Sequence, residues 1–107
     1  MRIAIEGDVR AGAETALREQ IAAGPGFDLA AAGLHSHDVY LDQQRVVFVF
    51  DGVAPFDALR ALGEAHRPEF RDMLSALPNV RVRVVGDTWQ PPPLAPLFHW
   101  SAQPHTR

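Results

Sequence analysis

His35-Ser36-His37-Asp38-Val39-Tyr40-Leu41, then Asp42-Gln43-Gln44, then Arg45-Val46-Val47-Phe48-Val49-Phe50-Asp51-Gly52: this stretch decides the fold. Two runs rich in β-branched and aromatic residues meet at a short polar connection, the pattern of a β-hairpin. Upstream, Ile3 and Ile5 alternate with Ala4 and Glu6 as a half-buried strand does. Gly12 then opens a helical stretch in which Ala13, Ala16, Leu17 and Ile21 share one face and Glu14 and Arg18 stand four apart on the other. Downstream, Pro55 fits a first helical turn, where its missing N–H is no loss. Val80, Val82 and Val84 then alternate with Arg81 and Arg83. The order is β-α-β-β-α-β, the split βαβ arrangement, which predicts a four-stranded antiparallel sheet with helices on one face.

The connections carry their own signals. Gly24-Pro25-Gly26 ends the first helix, and residues 27–32 read as one more helical turn closed by Gly33, a residue that accepts the left-handed conformation. In the second helical stretch Phe56, Leu59, Leu62 and Gly63 form an inner stripe. Pro68 interrupts it, and Phe70, Met73, Leu74 and Leu77 resume it until Pro78-Asn79. Pro91-Pro92-Pro93 reads as an extended linker. Leu94 to Trp100 reads as a short edge strand or arm, with Leu97 and His99 on one side and Phe98 and Trp100 on the other. Ser101 to Arg107 has no apolar anchor, and Gly86-Asp87 reads as a strand-end turn. The organisation is one α+β domain over residues 1–90 and a Pro-rich linker and C-terminal arm over 91–107.

Composition narrows the function. With 107 residues, 47% of them hydrophobic and 21% charged, the chain has room for one core. It has no cysteine, which removes disulfides, thiolate metal sites and cysteine nucleophiles. Net charge is −3, opposite in sign to the basic excess by which phosphate binders gain affinity, and no nucleic-acid partner is expected. No run approaches the roughly 18 apolar residues of a membrane span. Arg2 and Glu6 interrupt the N-terminal apolar pattern, so the expected location is cytoplasmic, without a membrane partner.

Strand alternation divides the sheet into two faces. Ile3, Ile5, Phe48, Phe50, Val80, Val82 and Val84 are the expected helix-covered core; Ala4, Glu6, Val47, Val49, Asp51, Arg81, Arg83 and Val85 take the other side. A half-apolar bare face calls for a cover, so face-to-face homodimerisation is expected, with the aromatic arm reaching across to the partner. Arg81 and Arg83 are placed to pair with Glu6 and Asp51 across strands.

The candidate site centres on the hairpin. His35 and His37 stand two apart, so regular alternation aims both at one face. With an even turn Leu41 faces Val46, and His37 pairs with Phe50 on the helix side. With an odd turn Asp38 and Tyr40 occupy that side instead. A histidine beside a carboxylate or phenol moves protons near neutral pH, and Tyr40 can hold an enolate oxygen. Trp89 and Trp100 are candidates to line a pocket for an aromatic ligand. A metal on the His35/His37 pair, with Asp51 or His99 as third ligand, is the less favoured use of these residues, and neither metal nor cofactor is expected.

The chain resembles the dimeric α+β barrel superfamily of ferredoxin-like protomers over residues 2–100. Gly33 to Asp42 running into Val46 to Phe50 is similar to the second and third strands of L-rhamnose mutarotases and antibiotic-biosynthesis monooxygenases. His66-Arg67-Pro68-Glu69-Phe70 resembles a His-Pro-x-x-Phe type of segment in aromatic polyketide cyclases, and Leu97 to Ser101 is similar to the closing aromatic strand of tetracenomycin-type cyclases. The first helix lacks the histidine that mutarotases carry there, which argues against that activity. The resemblance implies a homodimer that binds a small, aromatic or polyketide-like molecule, as a cofactor-independent cyclase, isomerase or monooxygenase-type enzyme. It would use His37, His35, Tyr40 and His66 as acid–base groups, with Asp38, Phe50, Trp89 and Trp100 binding the ligand. The alternative is a non-catalytic ligand-binding or interaction domain.

Overall fold

The computed structural model describes residues 1–86 and 88–102. Its elements run β1 (Arg2–Asp8), α1 (Glu14–Ala22), β2 (Leu34–Leu41), β3 (Arg45–Gly52), α2 (Pro55–Ala65), α3 (Arg67–Ser75), β4 (Asn79–Val85) and β5 (Phe98–Ser101). The strands form one antiparallel sheet in the order β4-β1-β3-β2-β5. The expected four strands are thus joined by a fifth, contributed by the C-terminal arm at the β2 edge. The expected behaviour of residues 103–107 and of Asp87 lies outside the described residues.

The main core lies between the sheet and the helices. Ile3, Val46, Phe48 and Phe50 from the sheet meet Leu17 and Ile21 of α1 and Ala58 and Leu62 of α2. Burying each large side chain contributes about 1.5–3 kcal/mol, so this layer is the principal source of stability. Helix α1 buries the pair Leu17 and Ile21, four residues apart, while Arg18 bonds Glu14 at 3.0 Å on its outer side. Residues 27–33 form turns instead of the expected helical turn: the Asp28 side chain accepts from the Ala31 N–H, and Gly33 adopts φ +92°. His66, with φ −128° and ψ 48°, separates α2 from α3 immediately before Arg67 and Pro68.

Two expectations about the core are corrected. Phe56 and Leu74 are exposed, and Ala58 takes the inner position of α2. Val80, Val82 and Val84 do lie on the helix side, opposite Gly7, Ile5 and Ile3, but they are 38%, 48% and 58% exposed because the helices leave this edge strand uncovered.

The opposite face is covered from within the chain. Ala4, Val47 and Val49 are buried there, packed with Tyr40, Val85 and Trp89. The connection from β4 to β5 joins the two edges of the sheet and crosses this face as a proline-rich strap. The arm therefore packs on its own protomer at the β2 edge, against the expectation that it reaches a partner, and the proline-rich segment before it lies over the opposite face.

Candidate functional site

The hairpin turn is even. Leu41 pairs with Val46, Val39 with Phe48 and His37 with Phe50, so His37 takes the helix side and Asp38 and Tyr40 the strap side. The β2–β3 register shifts between Leu34 and Ser36, which makes His35 the extra residue of a β-bulge. Leu34 and His37, three apart, consequently both enter the core, while His35 is exposed. The two histidines do not share a face, and the bulge separates the His-x-His pair that a metal would need.

His37 is 6% exposed and stacks on Phe50 with ring centroids 4.1 Å apart and planes 9° from parallel. Phe98 of β5 closes the other side at 5.6 Å. Nδ1 lies 3.0 Å from the Val49 carbonyl oxygen, which only accepts, so Nδ1 carries the proton and donates. Burial pushes the ring below its ordinary pKa, against the opposing pull of the Val49 hydrogen bond and the Asp38 charge. This geometry makes His37 a neutral, structural member of the core.

The strap side has different chemistry. Asp38 pairs with His99 across β2 and β5, and its carboxylate accepts from the His99 Nδ1. Tyr40 follows two residues later on the same face. Burial raises its pKa, the Asp38 charge adds to the rise and Arg2 opposes it, so the phenol stays protonated and able to donate. A crevice of about 670 Å³ opens between the sheet and the strap. Tyr40, Val47 and Trp89 form its apolar wall, and Glu6, Arg45, Asp42 and Arg83 its charged floor. Arg83 holds Glu6 at 2.9 Å, one of the cross-strand pairs expected from the alternation, with the Glu6 side chain only 15% exposed.

The remaining candidates lie elsewhere. His66 occupies the α2–α3 break, where its ring meets Phe27 at 4.8 Å and its backbone N–H donates to the Leu62 carbonyl. Trp100 pairs with His37 across β2 and β5 and packs on the main core with Phe98. The structure therefore brings Asp38, Tyr40 and Trp89 to the strap side, leaves His37, Phe50 and Trp100 on the helix side, and keeps His35 and His66 apart from both. The residues underweighted from sequence are His99, considered only as a metal ligand, and Arg45 and Asp42 of the turn. Alternation in the arm placed His99 opposite Phe98 and Trp100, and that was the available signal. Among the described residues no cluster of three or more His, Asp or Glu side chains is arranged to hold a metal ion.

No known family model matches the sequence. No curated protein matches it either. Among solved structures the fold is similar to that of a dimeric ferredoxin-like protein from an uncultured marine organism. The two share 16% sequence identity with a TM-score of 0.53, over 84% of this chain and 91% of that one. The fold is ferredoxin-like. In this ferredoxin-like chain the helices lie on the usual single side of the sheet, and the strap closes the other. Among the described residues no helix is long and apolar enough to cross a membrane.

Proposed function

We propose that this chain is a homodimeric small-molecule-binding protein whose ligand lies in the crevice beneath the proline strap. The observation that carries the reading is the crevice itself: Tyr40 and Trp89 line it together with the Glu6–Arg83 ion pair and Arg45. Indole and proline rings suit a planar apolar body, guanidinium groups suit a carboxylate or enolate oxygen, and a protonated phenol donates to an oxygen. Those preferences describe an aromatic or polyketide-like acid or phenol. The homodimer draws its support from the dimeric state named for the marine-organism protein.

The test uses 1-hydroxy-2-naphthoate as probe, read by Trp89 fluorescence in a Trp100→Phe background. Saturable quenching is expected, with at least tenfold weaker binding in Tyr40→Phe combined with Arg83→Gln. Absence of saturable quenching, or equal affinity in that variant, overturns the reading.

A second, enzymatic reading has one observation in its favour, the Asp38–His99 pair beside Tyr40. A carboxylate that fixes Nδ1 leaves Nε2 to take a proton from a carbon acid, and Tyr40 would hold the enolate oxygen. This is cofactor-independent acid–base chemistry of the cyclase or isomerase type, with His99 in the place sequence reasoning gave to His37. Deuterium wash-in from solvent at the α-carbon of 2-tetralone, followed by NMR, is expected to fall to the background rate in His99→Gln. Wash-in no faster than buffer for the unaltered protein leaves the non-catalytic reading.

A further inference from the structure

We infer that the homodimer forms by antiparallel pairing of strand β4 with β4 of a second copy, extending the sheet across a two-fold axis at Val82. The inference rests on the homodimeric part of the proposed function and is independent of the crevice. Strand β4 is an edge strand, bonded to β1 on its inner side, and no described residue pairs with its outer side. An open seven-residue edge with unpaired N–H and C=O groups is a template for another strand.

The sequence of this edge says which strand. Val80-Arg81-Val82-Arg83-Val84 reads the same in both directions. Antiparallel pairing about Val82 therefore sets Val82 against Val82 of the second copy and Val80 against Val84 twice, all on the helix side. These are the valines that the protomer leaves 38%, 48% and 58% exposed, although Ile3, directly opposite Val84, is fully buried. The apolar layer thus runs from the core to the edge and stops without a cover. Isologous contacts of this kind are self-complementary and close on themselves, which consumes both edges and prevents indefinite growth.

The strap lies over Ala4, Val47 and Val49 on the opposite face, so the open β4 edge is a surface separate from it. Stable interfaces bury about 800 Å² per partner, more than one strand edge supplies. The valine side chains on the helix side supply the rest of the contact area. On the strap side the same register brings Arg81 towards Arg83 of the second copy. Glu6 neutralises Arg83 at 2.9 Å, leaving a residual repulsion that salt screens. The dimer therefore tightens as ionic strength rises.

Sedimentation equilibrium of the full chain tests this, with circular dichroism melting as the control for folding. The unaltered protein is expected to sediment at twice the chain mass, with two- to tenfold tighter association between 50 mM and 500 mM NaCl. Val82→Lys, at a half-exposed position, is expected to sediment as a folded monomer. Val82→Ile, which keeps the apolar contact, is expected to remain dimeric. An unaltered protein that is monomeric at 50 µM in both salts overturns the inference. A dimer that survives Val82→Lys, or one that loosens with salt, overturns the β4 interface. Naphthoate binding retained in the monomeric Val82→Lys variant separates this interface from the crevice, and failure of either leaves the other standing.

Discussion

His37 lies flat on Phe50, ring centroids 4.1 Å apart and planes within 9° of parallel, with its Nδ1–H donated to the carbonyl of the next residue back along β3, Val49. A titratable ring is thereby built into the core as though it were a third phenylalanine beside Phe48 and Phe50. Its ionisation is linked to folding. The unfolded ring protonates near its ordinary value of 6.5, the folded ring only at lower pH because burial disfavours the cation. Across that window the unfolded chain binds more protons, so stability rises with pH and is lost as pH falls below about 6.5. Urea midpoints from pH 7.5 to 5 are expected to decline in the unaltered protein and to decline less in His37→Phe. Equal declines in both would remove His37 as the cause.

His37→Ala empties the space between Phe50 and Phe98. Truncating a buried aromatic ring costs about 3 kcal/mol, whereas His37→Phe forfeits only the Val49 hydrogen bond, worth about 1 kcal/mol. Equilibrium urea unfolding at pH 7.5 measures both. Similar losses in the two variants would show that packing is not what the ring contributes.

The bulge at His35 makes an unusual pair of expectations. His35→Ser changes an exposed side chain and is expected to alter stability by less than about 0.5 kcal/mol. Deleting His35 restores strict alternation and leaves Leu34, only 2% exposed, two positions from His37 and still facing the core. Its burial is retained, so the deletion is expected to cost less than about 2 kcal/mol. Thermal melts in which the deletion unfolds the chain, as loss of Leu34 from the core would do, would contradict the assigned register.

Gly24 joins the end of α1 to β5. It adopts φ +82°, and a Cβ there would meet the Phe98 ring at 3.1 Å. Gly24→Ala combines left-handed strain of about 1–2 kcal/mol with displacement of Phe98. Hydrogen exchange is expected to accelerate in β5 and its partner β2 before β1 and β3. Uniform acceleration across the sheet would mean that Gly24 acts on global stability alone.

The Glu6–Arg83 pair sets the electrostatics of the crevice floor. Glu6→Gln frees the Arg83 guanidinium, and a carboxylate-bearing naphthoate is expected to bind about three- to tenfold more tightly, with Arg83→Gln changing affinity in the opposite direction. Fluorescence titration at low and high salt checks both signs. Unchanged affinity in both variants would place the carboxylate elsewhere.

The hairpin, the element order and the Glu6–Arg83 pairing were legible because each rests on local chemistry or strict alternation. The turn register was narrowed to two arrangements, and the observed Leu41–Val46 pairing is one of them. The bulge was not legible, since Leu34-His35-Ser36-His37 contains no glycine or other mark of an inserted residue. Alternation assigned Val80, Val82 and Val84 to the correct face but carried no information on whether a helix reaches that far. A proline-rich segment has no periodicity, so the course of the strap depended on tertiary contacts of Trp89 that no local pattern encodes. The candidate site suffered accordingly. Four of its residues, His35, His37, Asp38 and Tyr40, share strand β2, and neighbouring positions on a strand belong to opposite sides of the sheet.

Strand β5 is the last described element and is held to β2 by four residue pairs, Ser36 to Val39. A short edge strand opens at a lower free energy than the strands behind it. For the ligand proposed beneath the strap, exchange is therefore expected to be governed at a distance, by how firmly Phe98 sits against Gly24 and His37.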